Sequence, residues 1–199
     1  GSFSSVSGWV APTSTWPLGE YVTSVWAISP VDAFVVGGGG KIYHYDGSVW
    51  NPTATGTTRT FFDIWGSSET DVFAVGEAGT VVHWDGSTWT AMPTATSNNL
   101  LGVWGSSATD VYAVGDSGTI LHYDGAQWRA TPSMTQNRLT GIWGSSGQDI
   151  FVVGGIVLHY DGETWTTMST SRGAYKVWGS GTGDVYVTEG RRILHYGLQ

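Results

Sequence analysis

Each of the five histidines, His44, His83, His122, His159 and His195, follows an aspartate (Asp32, Asp71, Asp110, Asp149 and Asp184) in a segment that recurs along the chain. Asp and His, with serines nearby as in Ser67-Ser68-x-x-Asp71, are residue types used in metal ligation, acid–base catalysis and nucleophile activation. Their spacing argues against all three. A zinc ion needs three or four ligands converging on one point, whereas one His per repeat, on the third strand of each unit, keeps its neighbours too far apart. Catalysis needs unlike groups whose surroundings push their pKa values apart, and five copies of one arrangement supply none. Acids outside the repeat are few: Glu20, Asp63, Glu77, Asp116 and Glu189. Asp71, His83, Asp110, His122, Asp149 and His159 therefore read as structural, forming hydrogen-bonded clusters within each unit, with the aspartate also serving a tight turn after Ser-Ser. No enzyme activity, cofactor or metal is expected.

The elements that carry these residues follow from the repeat. Trp-Gly-Ser-Ser begins at Trp65, Trp104 and Trp143, with looser copies at Trp26 and Trp178, at intervals of 39, 39, 39 and 35 residues. Residues 61–99 and 100–138 share 20 of 39 positions. In the third unit four apolar runs, opening at Leu100, Val111, Ile120 and Trp128, are broken by Gly105-Ser106-Ser107, Gly115-Asp116-Ser117-Gly118 and Asp124-Gly125. Asp-Gly between apolar runs is a strong hairpin signal, because primed turns need positive φ. Four strands of about 5–6 residues plus turns fill such a period. The middle runs are apolar on both faces, so each sheet is covered on both sides. A four-stranded sheet stacked on copies of itself is a propeller blade.

The expected fold is all-β: a five-bladed β-propeller with four antiparallel strands per blade, forming one domain over residues 1–199. Its blades begin near residues 22, 61, 100, 139 and 174. Trp50, Trp89, Trp128 and Trp165 open the fourth strands of units one to four, while unit five stops at His195-Tyr196-Gly197. The N-terminal segment, with Ser7-Gly8-Trp9, holds the missing counterpart. Residues 5–12 are thus expected to complete blade five, close the ring and remove an open sheet edge.

Trp-Gly-Ser-Ser-x-x-Asp-Val-x-Ala-Val-Gly followed by Gly-Thr-Ile-x-His-Tyr-Asp-Gly-x-x-Trp resembles the repeats of secreted bacterial β-propeller proteins. Those repeats are akin to Asp-box and photosystem-assembly-factor-type propellers. The resemblance covers nearly the whole chain, is specific for fold and assigns no function. It implies an extracellular or cell-surface location. Five near-identical blades also resemble the tachylectin-type lectins in architecture, without their sugar-binding motif.

The loops differ between the two faces. Those joining first to second and third to fourth strands repeat (Gly-Ser-Ser-x-x-Asp, Asp-Gly-x-x-Trp). Those on the other face vary: Glu20, Arg59, Asn98, Asn137 and Arg172 stand six residues before the successive key tryptophans, near Asn99, Arg138 and Tyr175. A uniform scaffold with one diversified face binds through that face. Trp16, Glu20, Arg59, Asn98, Asn137, Arg138, Arg172 and Tyr175 form the candidate site, with polar groups to hold hydroxyls and Trp16 or Tyr175 to stack on a ring. The first expectation is a non-catalytic, lectin-like module for carbohydrate. The alternative is a protein-interaction scaffold of a larger surface protein, and the third reading a glycan-active hydrolase. A net charge of −8 excludes a phosphate backbone as partner, and the sequence has no apolar run of about 18 residues that could insert into a membrane. A monomer binding a glycan or a protein ligand is expected.

Overall fold

The computed structural model describes residues 21–169 and 173–197. They form five antiparallel sheets. The first holds β1 (Val22–Ser29), β2 (Asp32–Gly37), β3 (Ile42–Tyr45) and β4 (Trp50–Thr53). The second holds β5 (Phe61–Ser68), β6 (Asp71–Gly76), β7 (Val81–Trp84) and β8 (Trp89–Met92). The third comprises β9 (Leu100–Ser107), β10 (Asp110–Gly115), β11 (Ile120–Tyr123) and β12 (Trp128–Ala130). The fourth comprises β13 (Leu139–Ser146), β14 (Asp149–Gly154), β15 (Val157–Tyr160) and β16 (Trp165–Ser169). The fifth has three strands, β17 (Ala174–Gly181), β18 (Asp184–Glu189) and β19 (Arg192–Gly197), in that order. Each four-stranded sheet is a meander with consecutive strands adjacent, as expected of a propeller blade.

The core lies between sheets rather than within one. Phe34, Val36 and Ile42 of the first sheet pack with Phe61, Val72, Ala74, Val82 and Trp89 of the second, and equivalent clusters join second to third and third to fourth. Residues apolar on both strand faces are what such stacking requires. The first-strand tryptophans of the first four sheets each press on a glycine of the next sheet. A Cβ on Gly66 would lie 2.9 Å from the Trp26 indole, on Gly105 2.6 Å from Trp65, on Gly144 2.6 Å from Trp104, and on Gly179 2.5 Å from Trp143. Ala27 occupies the same position in the first sheet.

The Asp-Gly connections are hairpin loops with one positive-φ residue each. Asp46, Asp85, Asp124 and Asp161 each open a four-residue loop, with positive φ only at Gly47, Gly86, Gly125 and Gly162. The Asp85 carboxylate accepts the Ser87 and Thr88 amides at 2.8 Å. These are Asx turns, in which the side chain replaces a second positive-φ residue.

Among the described residues, the packing that joins successive sheets is not repeated between the fifth and the first. Val25 is 62% exposed where its equivalent Ile64 is 4% exposed, and Trp178 is 62% exposed. Tyr186 is also exposed, whereas its counterparts Phe34, Phe73, Tyr112 and Phe151 are buried. The expected fourth strand of blade five, residues 5–12 with Trp9, lies outside the described residues.

Candidate functional site: loop face and end sheets

In every sheet the second-strand aspartate meets the third-strand histidine. His83 Nε2 lies 2.7 Å from Asp71 Oδ1, His122 2.7 Å from Asp110, His159 2.7 Å from Asp149, His44 2.9 Å from Asp32 and His195 2.8 Å from Asp184. In the second to fifth sheets the other carboxylate oxygen accepts a serine hydroxyl, Ser67 to Asp71 and Ser145 to Asp149 at 2.5 Å; Ser106 and Ser180 bond Asp110 and Asp184 likewise. The carboxylate therefore stands between serine and histidine. No imidazole touches the hydroxyl, so this is not the order in which a base activates a nucleophile. Each ring also lies against the second-strand aromatic, His122 stacked on Tyr112 at 4.3 Å and His44 on Phe34 at 4.2 Å, with His83 tilted against Phe73 at 4.5 Å. Among the described residues no three His, Asp or Glu side chains come together as a metal site.

On the variable face, side chains expected to meet a ligand are engaged with neighbouring loops. Arg59 Nη1 donates to the Ala78 carbonyl at 3.1 Å and to Thr80 Oγ1 at 3.2 Å. Asn98 Nδ2 donates to Thr119 Oγ1 at 2.9 Å. Arg138 pairs with Asp116 at 3.1 Å, and Asn99 reaches the other oxygen of that carboxylate at 3.0 Å while accepting the Ala78 amide at 3.0 Å. Asn99, Asp116 and Arg138 thus join three successive blades. Asn137 is exposed on the same face, its backbone carbonyl accepting the Gly118 amide at 2.8 Å. Tyr175 is exposed at the start of β17. Trp16, Glu20 and Arg172 lie outside the described residues.

Nearer the axis, Asp63 of β5 accepts Ser24 Oγ from β1 at 2.7 Å and the Val103 amide from β9 at 3.0 Å. One carboxylate links three inner strands. Enclosure pushes its carboxyl above the usual carboxylate range, against the opposing pull of these hydrogen bonds and of Lys176.

The sequence did not reveal which apolar side chains are exposed. Tyr21, Val25 and Ile28 of the first sheet and Tyr175, Trp178 and Ile193 of the fifth are exposed, whereas the second and third sheets, among the described residues, expose only Met134 in the loop after β12. Trp178 occupies a repeated position, so its type reads as core, yet it is 62% exposed.

No protein-family model matches the chain, and no curated protein sequence matches it. Among solved structures it is similar to "YCF48 from Cyanidioschyzon merolae", with 16% identity and a TM-score of 0.69 over 94% of this chain and 70% of that one. It is also similar to "YCF48 bound to D1 peptide", with 13% identity and a TM-score of 0.46 over 93% of this chain and 81% of that one. The first likeness shows the fold alone, a β-propeller. The carbohydrate expectation is corrected here: the solved structure whose fold it shares is a YCF48, not a lectin. The physical reason lies in the loops, where Arg59, Asn98 and Arg138, expected to hold sugar hydroxyls, bond to the protein itself.

Proposed function

We propose that this chain is a non-catalytic protein-interaction module. On this reading its five sheets are five blades of one propeller, the fifth completed by the N-terminal strand carrying Trp9. One observation carries the functional reading: large apolar side chains are exposed at the first and fifth blades, while among the described residues the second and third, built from the same repeat, expose only Met134. Concentrated apolar exposure of this kind is a mark of protein contact surfaces. Aromatic residues such as Trp178 and Tyr175 are the types that anchor such contacts. The partner contributes an apolar segment that lies against these faces.

A phage-displayed peptide library selected on the full chain and counter-screened on Trp178→Ser and Tyr175→Ser variants tests this. The expected outcome is a set of peptides that bind the parent chain and lose at least about tenfold in affinity on the variants. Enriched peptides that bind parent and variants equally would sink the assignment of this surface.

A further inference from the structure

The second and third blades differ from the first in how an outer-strand indole is satisfied. Trp89 Nε1, at the start of β8, donates to Thr53 Oγ1, the last residue of β4 in the preceding blade, at 3.0 Å. One blade on, Trp128 of β12 stands in the same frame, edge-on to Phe73 at 6.1 Å and 83° as Trp89 is to Phe34 at 5.9 Å and 90°. Met92 now occupies the position of Thr53, and the buried Trp128 Nε1 has no hydrogen-bond partner among the described residues. Trp165 Nε1 also lacks one, but Thr131 stands at its Thr53 position. Trp128 alone of the three faces a thioether where the repeat can offer a hydroxyl. A buried N–H left unpaired costs free energy, and an acceptor brought to it removes that cost.

Trp128 and Met92 both line a cavity of about 350 Å³, with Pro93, Ala95 and Ala126 among its walls. Ala95 also borders a second cavity, of about 480 Å³, on the variable face of the third blade, where Ile120 and Leu121 are buried beneath Met134 and its loop. Three non-glycine residues among those described have positive φ, and two of them, Ser117 at 55° and Met134 at 56°, line this second cavity. The first blade fills the same two positions with Gly39 at 65° and Gly56 at 71°, for which that backbone carries no steric penalty. Met134 is 90% exposed, so no packing within the described chain offsets its strain. No charged side chain lines either cavity, although the chain carries 8 basic and 16 acidic residues. The occupant is therefore uncharged at these contacts. It must bring an acceptor oxygen to Trp128 between apolar walls and, past Ala95, an apolar group to Met134. An extended peptide offers both, as backbone carbonyls and side chains in alternation.

We propose that these two cavities form one groove for an uncharged, extended peptide segment of a partner protein. A backbone carbonyl of the segment accepts the Trp128 N–H, and an apolar side chain rests on Met134. Met92, unbranched and adaptable, moves aside to admit the carbonyl. This rests on the proposed protein-interaction function and adds to it a contact apart from the first and fifth blades.

The probe is a phage-displayed peptide library built without Asp, Glu, Lys or Arg. It is panned on the full chain carrying Trp178→Ser and Tyr175→Ser, so that the end blades do not select. Two further substitutions are added singly. Met92→Thr gives Trp128 the internal acceptor that Thr53 gives Trp89, and Met134→Gly restores the residue type of Gly56. Each should weaken the enriched peptides at least about tenfold while the chain keeps a cooperative melt. Met134→Gly should also raise the melting temperature, because it relieves the backbone. The Trp128 indole N–H resonance, identified by its loss in Trp128→Phe, should move on titration with peptide. Unchanged peptide affinity in both variants overturns the proposal, and so does a lower melting temperature of Met134→Gly, which would make Met134 a structural residue. Peptides that enrich on the parent chain but not on the Trp178→Ser, Tyr175→Ser chain remove this groove and leave the broader function standing. Enrichment on neither chain removes both.

Discussion

A single imidazole in this protein has two neighbours of different kinds, a carboxylate in its plane and an aromatic ring against its face. For His122 these are Asp110 at 2.7 Å and Tyr112 at 4.3 Å. Removing the ring leaves a partly buried carboxylate with the Ser106 hydroxyl as its remaining side-chain partner, so His122→Ala should destabilise by about 1–3 kcal/mol. Chemical denaturation checks this; an unchanged midpoint would mean that the pair contributes nothing to folding. Asp63 gives a prediction with a definite sign. Its folded pKa is raised above the unfolded value of 3.8, chiefly by burial. The folded state then binds more protons than the unfolded one between the two pKa values. Its contribution to stability is fully present below the unfolded pKa and is lost as pH rises through the folded pKa. Relative to Asp63→Asn, the parent chain should lose stability on going from acid toward neutral pH. A difference between the two that stays constant across that range would contradict the assignment. Asp124 has the opposite sign: amides of Gln127 and Ala126 and the Arg129 side chain hold its pKa at about 2. Its contribution is present above the ordinary carboxylate range and vanishes as pH falls through about 2. Melting curves of Asp124→Asn and the parent should therefore converge at low pH.

At the scale of the element, the first strand of one blade and the next blade's first strand meet through an indole and a backbone without a side chain. Gly105 is the cleanest example, where a Cβ would sit 2.6 Å from the Trp65 ring. Gly105→Ala should force the indole or the strand to move, at a cost of about 1–3 kcal/mol for overpacking, read as a lower denaturation midpoint. Stability equal to that of the parent would show that the interface has room. The Trp-Gly pair is visible in the sequence as a repeat, but its reason is not, because the glycine serves the neighbouring blade's tryptophan rather than its own strand. The Asp-Gly loops were half legible in the same way. Their position followed from composition, while the Asx geometry depends on where the carboxylate finds its amides. Arg59, Asn98 and Arg138 show the limit on the functional side. Polar types on a variable face read as ligand contacts, and only their coordinates reveal that loop carbonyls, hydroxyls and Asp116 already satisfy them.

For the whole molecule, stability is distributed along a row of blades that each contact their neighbours, so it behaves as a sum of blade and interface contributions. The second and third blades are covered on both faces, and the first and fifth expose Val25, Ile28 and Trp178. Amide exchange should follow that order, slowest in β6 and β10 and faster in β2 and β18, because local opening is easiest where fewest apolar contacts are lost. Uniform protection in all five second strands would instead mean that the end faces are covered in solution. Removing residues 1–12 should expose the outer edge of β19 to other molecules and promote association. Light scattering and size-exclusion chromatography would reveal this, and a truncated chain that stays monomeric and equally stable would count against the N-terminal strand as the resident of blade five.

What the sequence alone determined is local and repeated. Trp-Gly-Ser-Ser, the following aspartate, the histidine and Asp-Gly recur at near-constant spacing. Strand period and turn chemistry then yield five β-meanders with their Asp–His pairs in register. Tertiary structure decided what no single repeat encodes. Trp65 and Trp178 are the same residue type at the same repeat position, yet Trp65 packs on Gly105 while Trp178 is 62% exposed. The third strands β15 and β19 carry the same Leu-His-Tyr, yet β15 has a tryptophan-bearing partner and β19 borders a cavity. The physical reason is that burial in a propeller belongs to the contact between blades. A repeat states which side chain it offers its neighbour, and only the assembled structure shows whether a neighbour receives it.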